Sequence, residues 1–161
     1  MEPRTYIKCF VPYAHLDRRI VANFMQRLTV HLAPSRRYDY QVWWDTRIDT
    51  GQQWREEIRQ QLVACDVGLL LISPAFLTSK YIAQYELPYF LGANAKPALP
   101  IMLETIDWQR HDTKGLEPYQ FFMLDHTRAF VDCTTHILRG RFIARLFAQI
   151  EQQADRLYAQ A

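Results

Sequence analysis

Glycine is scarce in this chain, and cysteine is scarcer. The five glycines, Gly51, Gly68, Gly92, Gly115 and Gly140, stand too far apart for a G-x-G-x-x-G turn or a P-loop, so no glycine cradle for phosphate can form. The cysteines, Cys9, Cys65 and Cys133, are odd in number and lack a C-x-x-C spacing. That excludes a disulfide framework and a zinc ribbon and fits a reducing cytoplasm. The five histidines, His15, His31, His111, His126 and His136, show no metal-ligand spacing, and no metal site is expected. An excess of one charge is missing too: 19 Lys plus Arg against 17 Asp plus Glu leave +2, too little for the field that phosphate-backbone binders use. No nucleic-acid partner is expected. Long apolar runs are absent as well, none approaching the roughly 18 residues that crossing a bilayer requires. Charges from Glu2 to Arg19 interrupt any signal-peptide core, so no membrane association is expected.

What is present is material for a core. Over 161 residues, 49% are hydrophobic and 14% aromatic, enough to exclude intrinsic disorder and to suggest one domain spanning residues 1–161. Tyr6 to Val11 is a short apolar stretch ended by Pro12, and Ile20, Phe24 and Leu28 then mark one face of a helix within Leu16 to Leu32. The pattern repeats. An aromatic run from Tyr40 to Trp44 leads into a polar loop, and Trp54, Ile58, Leu62 and Cys65 mark a second helix. Val67 to Ser73 is apolar at both parities, as in a strand covered on both faces. A buried helix over Lys80 to Leu91, a strand over Leu99 to Leu103, a brief fifth strand over Ala129 to Val131 and a helix through Ile143, Ile150 and Leu157 complete the prediction. Alternation of this kind implies a doubly wound, flavodoxin-like α/β fold: a five-stranded parallel sheet with helices on both faces.

In such a sheet, ligands bind outside the carboxyl ends of the strands where the strand order reverses. One wall would be Phe10 to Tyr13 and the other Ser73 to Phe76, with Trp44, Asp45 and Arg47 nearby, giving an aromatic and nearly uncharged crevice. A phospho-receiver would need acids at the ends of strands one and three, where the chain has Val-Pro-Tyr and Ile-Ser-Pro. No G-x-S-x-G elbow is present, so Ser73 and His15 are not expected to form a hydrolase triad. Glu86 stands out as the only acid among the apolar and aromatic residues of Tyr81 to Leu91. A carboxylate there is costly unless it has a task or a partner. The plain alternative is that it reaches water or pairs with Arg55 or Arg59. Pro88 adds an irregularity by removing a backbone donor, which frees a carbonyl near Gln84.

Cys9-Phe-Val-Pro-Tyr13, Val42-Trp-Trp-Asp45, Ile48-Asp-Thr-Gly51, Trp54-Arg-Glu-Glu-Ile58, Cys65 to Pro74 and Tyr81 to Leu87, in this order, resemble a bacterial Toll/interleukin-1 receptor (TIR) domain. Pro100 to Leu103 followed by Asp107-Trp108 is similar to the family's fourth strand and following loop. The resemblance implies a mobile loop over Asp45 to Gln53 and, as in many prokaryotic members, cleavage of NAD+ at the nicotinamide-ribose bond, with Glu86 at the catalytic position. NAD+ is then a substrate, and no cofactor is expected. The resemblance also implies self-assembly with other TIR domains and a fused or separate sensor module, with antiviral signalling as the setting. Pro12 and Thr50 depart from the usual serine and proline, and Tyr81 precedes the glutamate by one residue more than usual.

One carboxylate suits this chemistry, because nicotinamide leaves as a neutral pyridine and needs no general acid. Glu86 would bind the ribose and stabilise the oxocarbenium-like transition state. Tyr13, Trp44, Phe76 and Tyr81 are candidates to stack on the substrate's rings, Arg47 to bind its diphosphate and Asp45 to bind a ribose, and Phe10 and Ser73 are further substrate-binding candidates. Two rival readings are a scaffold that pairs with other TIR domains without turnover, and a nucleoside deoxyribosyltransferase on a similar sheet.

Overall fold

The computed structural model describes residues 3–46 and 52–159. Four parallel strands, β1 (Thr5–Phe10), β2 (Tyr38–Trp43), β3 (Val67–Ile72) and β4 (Ala98–Met102), lie in the order β2-β1-β3-β4 among the described residues. The order reverses between β1 and β3, which creates the crevice at their carboxyl ends. Among the described residues, four α-helices flank the sheet: α1 (Arg18–Leu32), α2 (Gln52–Ala64), the short α3 (Pro74–Thr78) and α4 (His136–Ala159).

Every residue of β3 is buried, and strand parity divides its side chains between two cores. Leu69 and Leu71 join Ile7, Cys9 and Ile101 under α1 and α4. Leu70 and Ile72 join Phe10, Met102 and Phe90 under α2 and the segment after α3. Gly68 is required where it stands, since a Cβ there would come within 2.5 Å of the fully buried Phe90 ring. The edge strand β2 is tied to α4 by hydroxyls: Tyr40 donates to Glu151, Tyr38 to Asp155, and Ser35 Oγ to Glu151 Oε1 at 3.0 Å.

The expected fifth strand does not form. Phe122 alone bridges β4, donating its N–H to Pro100 O at 2.8 Å and accepting from Met102 N at 2.9 Å. Because the Pro100 carbonyl faces that edge, the N–H that proline lacks is missing from the same edge, and a further ladder has no donor there. Ala129 to Val131, where the strand was expected, instead enters a 3-10 turn over Phe130–Asp132, with the Asp132 carboxylate accepting from Ala129 N at 3.3 Å.

The expected continuous helix over Lys80 to Leu91 is also remodelled. Ile82–Glu86 forms a π-turn, in which Leu87 N–H reaches back to Ile82 O, and Leu87–Phe90 continues as a 3-10 turn. Pro88 explains the change: it has no N–H for the Gln84 carbonyl, so an α-helix cannot propagate through it.

Candidate functional site

Three segments at the carboxyl edge of the sheet enclose a cleft of about 300 Å³. The stretch after β1 supplies Val11, Tyr13 and His15, the stretch after β2 supplies Asp45, and the stretch after α3 supplies Ser79, Tyr81, Ile82 and Glu86. Main-chain bonds hold the first segment in line with the sheet, since Val11 N donates to Trp43 O at 3.0 Å and Pro12 O accepts from Leu71 N at 3.1 Å. Side chains then join it to the second segment. The Tyr13 hydroxyl donates to the Asp45 carbonyl, His15 Nε2 donates to Asp45 Oδ2 at 3.0 Å, and the Tyr13 and His15 rings stack with centroids 5.6 Å apart.

Glu86 closes the inner end. It is only 6% exposed, and no hydrogen bond or ion pair joins its carboxyl to a described residue. Burial, reinforced by the nearby Asp45 carboxylate, pushes its pKa from 4.5 up to about 8. Glu86 is therefore held mostly protonated at neutral pH. A cationic group bound beside it would favour the carboxylate and draw the proton off. Burial, with Asp45 and Glu86 next to it, also raises the Tyr13 phenol to about 12, and Tyr81 is raised by burial and by Glu86. Both phenols stay neutral donors in this range.

The π-turn sets where Glu86 sits. Its wider turn keeps Ile82 and Glu86 both buried, whereas Tyr81 at its start is half-buried and Tyr85 is exposed. Ser79 Oγ accepts from Ile82 N at 3.2 Å and anchors the first residue of the turn.

The structure thus brings four of the sequence candidates, Tyr13, Asp45, Tyr81 and Glu86, to one cleft. Phe10, Phe76, Ser73 and Trp44 lie elsewhere. Phe10 is 1% exposed and stacks on Trp43 at 5.2 Å, on the sheet face opposite Val11, and Phe76 is equally buried in the same core, so neither ring has a face for a ligand. Ser73 is fully buried and occupied as the N-cap of α3: its Oγ accepts from Phe76 N at 3.0 Å and donates to Asp17. Trp44 packs against the core under α1 and α4 rather than lining the cleft. Arg47 and most of the expected mobile loop, 47–51, lie outside the described residues.

The expectation of a nearly uncharged crevice is corrected, because Asp45 turns its carboxylate inward to His15 and shares the site with Glu86. Pairing of Glu86 with Arg55 or Arg59 is also overturned. Arg59 binds Glu56, and Arg55 lies over the Tyr85 ring. His15 and Ser79 went unrecognised as cleft residues. His15 follows Tyr13 by two positions, and Ser79 stands three residues before Ile82, the spacing of a helix cap.

The family model described as TIR domain matches residues 9–137, most of the chain and all of the cleft's residues. The chain belongs to the TIR domain family. TIR domains act in signalling and pair with other TIR domains, and members of the family can be NAD+ glycohydrolases. No curated protein matches this TIR domain. Its described residues contain no helix long and apolar enough to cross a membrane and no cluster of three or more His, Cys, Asp or Glu placed to hold a metal ion.

Proposed function

We propose that this TIR domain hydrolyses NAD+ at the nicotinamide-ribose bond and that Glu86 is its catalytic residue. The observation that carries the reading is the buried Glu86 carboxyl, unpaired with any described residue, at the inner end of a cleft bounded by tyrosines. Such a group is expensive to keep unless it acts on a ligand.

The chemistry follows from charge. The nicotinamide ring of NAD+ is cationic, so its arrival beside Glu86 favours the carboxylate and releases the proton that burial retains. When the carbon-nitrogen bond breaks, its electron pair goes to the ring nitrogen and neutralises it, leaving positive charge on the ribose. The Glu86 carboxylate lies where that charge develops and stabilises it more strongly than the ground state. Water then bonds to the ribose carbon and gives its proton to Glu86, yielding ADP-ribose, nicotinamide and one proton overall. Tyr13 and Tyr81 bound the space for the pyridine ring, and Asp45 accepts from a ribose hydroxyl.

In this reading the domain is a cytoplasmic effector of a bacterial immune pathway, switched on by self-assembly when a sensor module responds. A purely scaffolding domain would leave the burial cost of Glu86 without a return.

The deciding experiment measures nicotinamide release from NAD+ at high protein concentration with a crowding agent, for the parent and Glu86→Gln. The parent releases nicotinamide, and the variant, folded by circular dichroism, loses at least about a hundredfold in rate. Equal rates in the two proteins remove Glu86 from the mechanism. Absence of release in both, under conditions where the domain is shown to assemble, overturns the activity.

A further inference from the structure

A second hollow, of about 360 Å³, runs alongside the cleft between α2 and the segment after α3, and Tyr81 belongs to the walls of both. Arg55, Glu56 and Arg59 come to it from α2, and Tyr85 and Tyr89 from the other side. The Tyr81 and Tyr85 rings lie 4.9 Å apart, so an aromatic surface passes from the cleft into this groove. Arg55 sits with its guanidinium 5.2 Å from the Tyr85 ring centroid, and Arg59 is bound to Glu56.

We propose that this groove binds the adenosine diphosphate half of the dinucleotide whose nicotinamide riboside half occupies the Glu86 cleft. The inference rests on the activity proposed above and adds the subsite that selects a dinucleotide.

Size is the first reason. A cleft of about 300 Å³ is at the lower end for small-molecule sites. A ligand with two ring systems, two riboses and a diphosphate must extend past it, and the groove adjoins it through Tyr81. Charge is the second. The Asp45 carboxylate, joined by Glu86 once that group ionises, makes the cleft unfavourable for phosphate, whereas Arg55 is exposed on the groove side. The Arg55 charge is felt at the shared wall, where it opposes the rise that burial and Glu86 impose on the Tyr81 phenol. Ring chemistry is the third. Tyr85 is 39% exposed and carries the Arg55 guanidinium over its ring, so this exposed pair offers a planar surface for adenine and a cation for phosphate oxygens.

The test has two arms. In the first, calorimetry measures binding of adenosine 5′-diphosphate to Glu86→Gln alone and combined with Arg55→Ala or Tyr85→Ala. Both side chains are exposed, so their loss should leave the fold standing, and circular dichroism checks this. Binding weakened about tenfold or more by each added change supports the groove, as expected for losing a charge-assisted contact or a stacking face. Binding that ignores both changes overturns it.

In the second arm, Arg55→Ala is compared on NAD+ and on nicotinamide riboside. The expected result is a KM for NAD+ raised about tenfold more than the KM for the riboside, with Arg55→Lys recovering part of the loss. Equal rises for the two substrates overturn the proposal, because Arg55 would then be supporting the cleft. Should the parent release no nicotinamide, the activity reading falls by itself, and the calorimetric arm still decides whether the groove binds the nucleotide.

Discussion

Replacing Glu86 with glutamine should stabilise the folded domain, by an amount that depends on pH. A carboxyl raised in the folded state from 4.5 to about 8 binds its proton more tightly there than in the unfolded chain. Its contribution is therefore fully present below about pH 4.5 and is lost as pH rises through about 8. At about 1.4 kcal/mol per pH unit, the rise amounts to at most about 5 kcal/mol between those limits. Glutamine has nearly the same shape and stays neutral throughout, so the variant escapes the penalty. Urea unfolding followed by tryptophan fluorescence from about pH 4 to about pH 9 gives both stability curves. They should run close together at the acid end and separate through neutrality, with the variant more stable by several kcal/mol at the alkaline end. Tyr13, raised to about 12, titrates above this range, and titrations that the change leaves alone cancel in the difference. Parallel curves would show that Glu86 ionises as freely as in the unfolded chain, and the account of the site as a proton-retaining pocket would be refuted.

Three further predictions concern the same molecule. Asp45→Asn removes the like charge facing Glu86 and lowers its pKa toward the usual carboxylate range, so the limb of kcat/KM for NAD+ that rises with pH should move to lower pH; an unmoved limb in a full pH profile would exclude the coupling. Tyr40→Phe deprives Glu151 of one of its two hydroxyl donors and should cost about 1 to 2 kcal/mol in chemical denaturation, with NAD+ turnover, measured in parallel, near that of the parent. Gly68→Ala forces a methyl into the Phe90 ring and should cost about 1 to 3 kcal/mol, of which Phe90→Leu in the same chain restores a part; thermal unfolding of the two single variants and the double tests whether their effects are non-additive.

How much of this was legible in the chain depends on how local the cause is. The parity of Val67 to Ser73 and the helical spacing from Ile20 to Leu28 are properties of adjacent residues, so strand and helix could be read directly. Glu86 was equally legible, as one acid in an apolar stretch beside a proline. The missing fifth strand was not, because it depends on which edge of β4 the Pro100 carbonyl faces, a matter settled only when β3 takes the other edge.

Phe10 and Phe76 show the same limit. Their positions at strand and helix ends placed them near the crevice, but the sheet turns both rings into the core under α2. Asp45 shows it in the opposite sense. Far from Glu86 in the chain, it is turned inward by contacts with Tyr13 and His15, and that placement makes the cleft charged. The sequence by itself determined the alternating elements, the family and the identity of the one costly carboxyl, since each is encoded within a few turns of chain. The tertiary structure alone decided that Glu86 shares its cleft with a second carboxylate and that an arginine-bearing groove adjoins it. Electrostatic coupling and cavity shape arise between residues that meet only after the sheet has closed over its two cores.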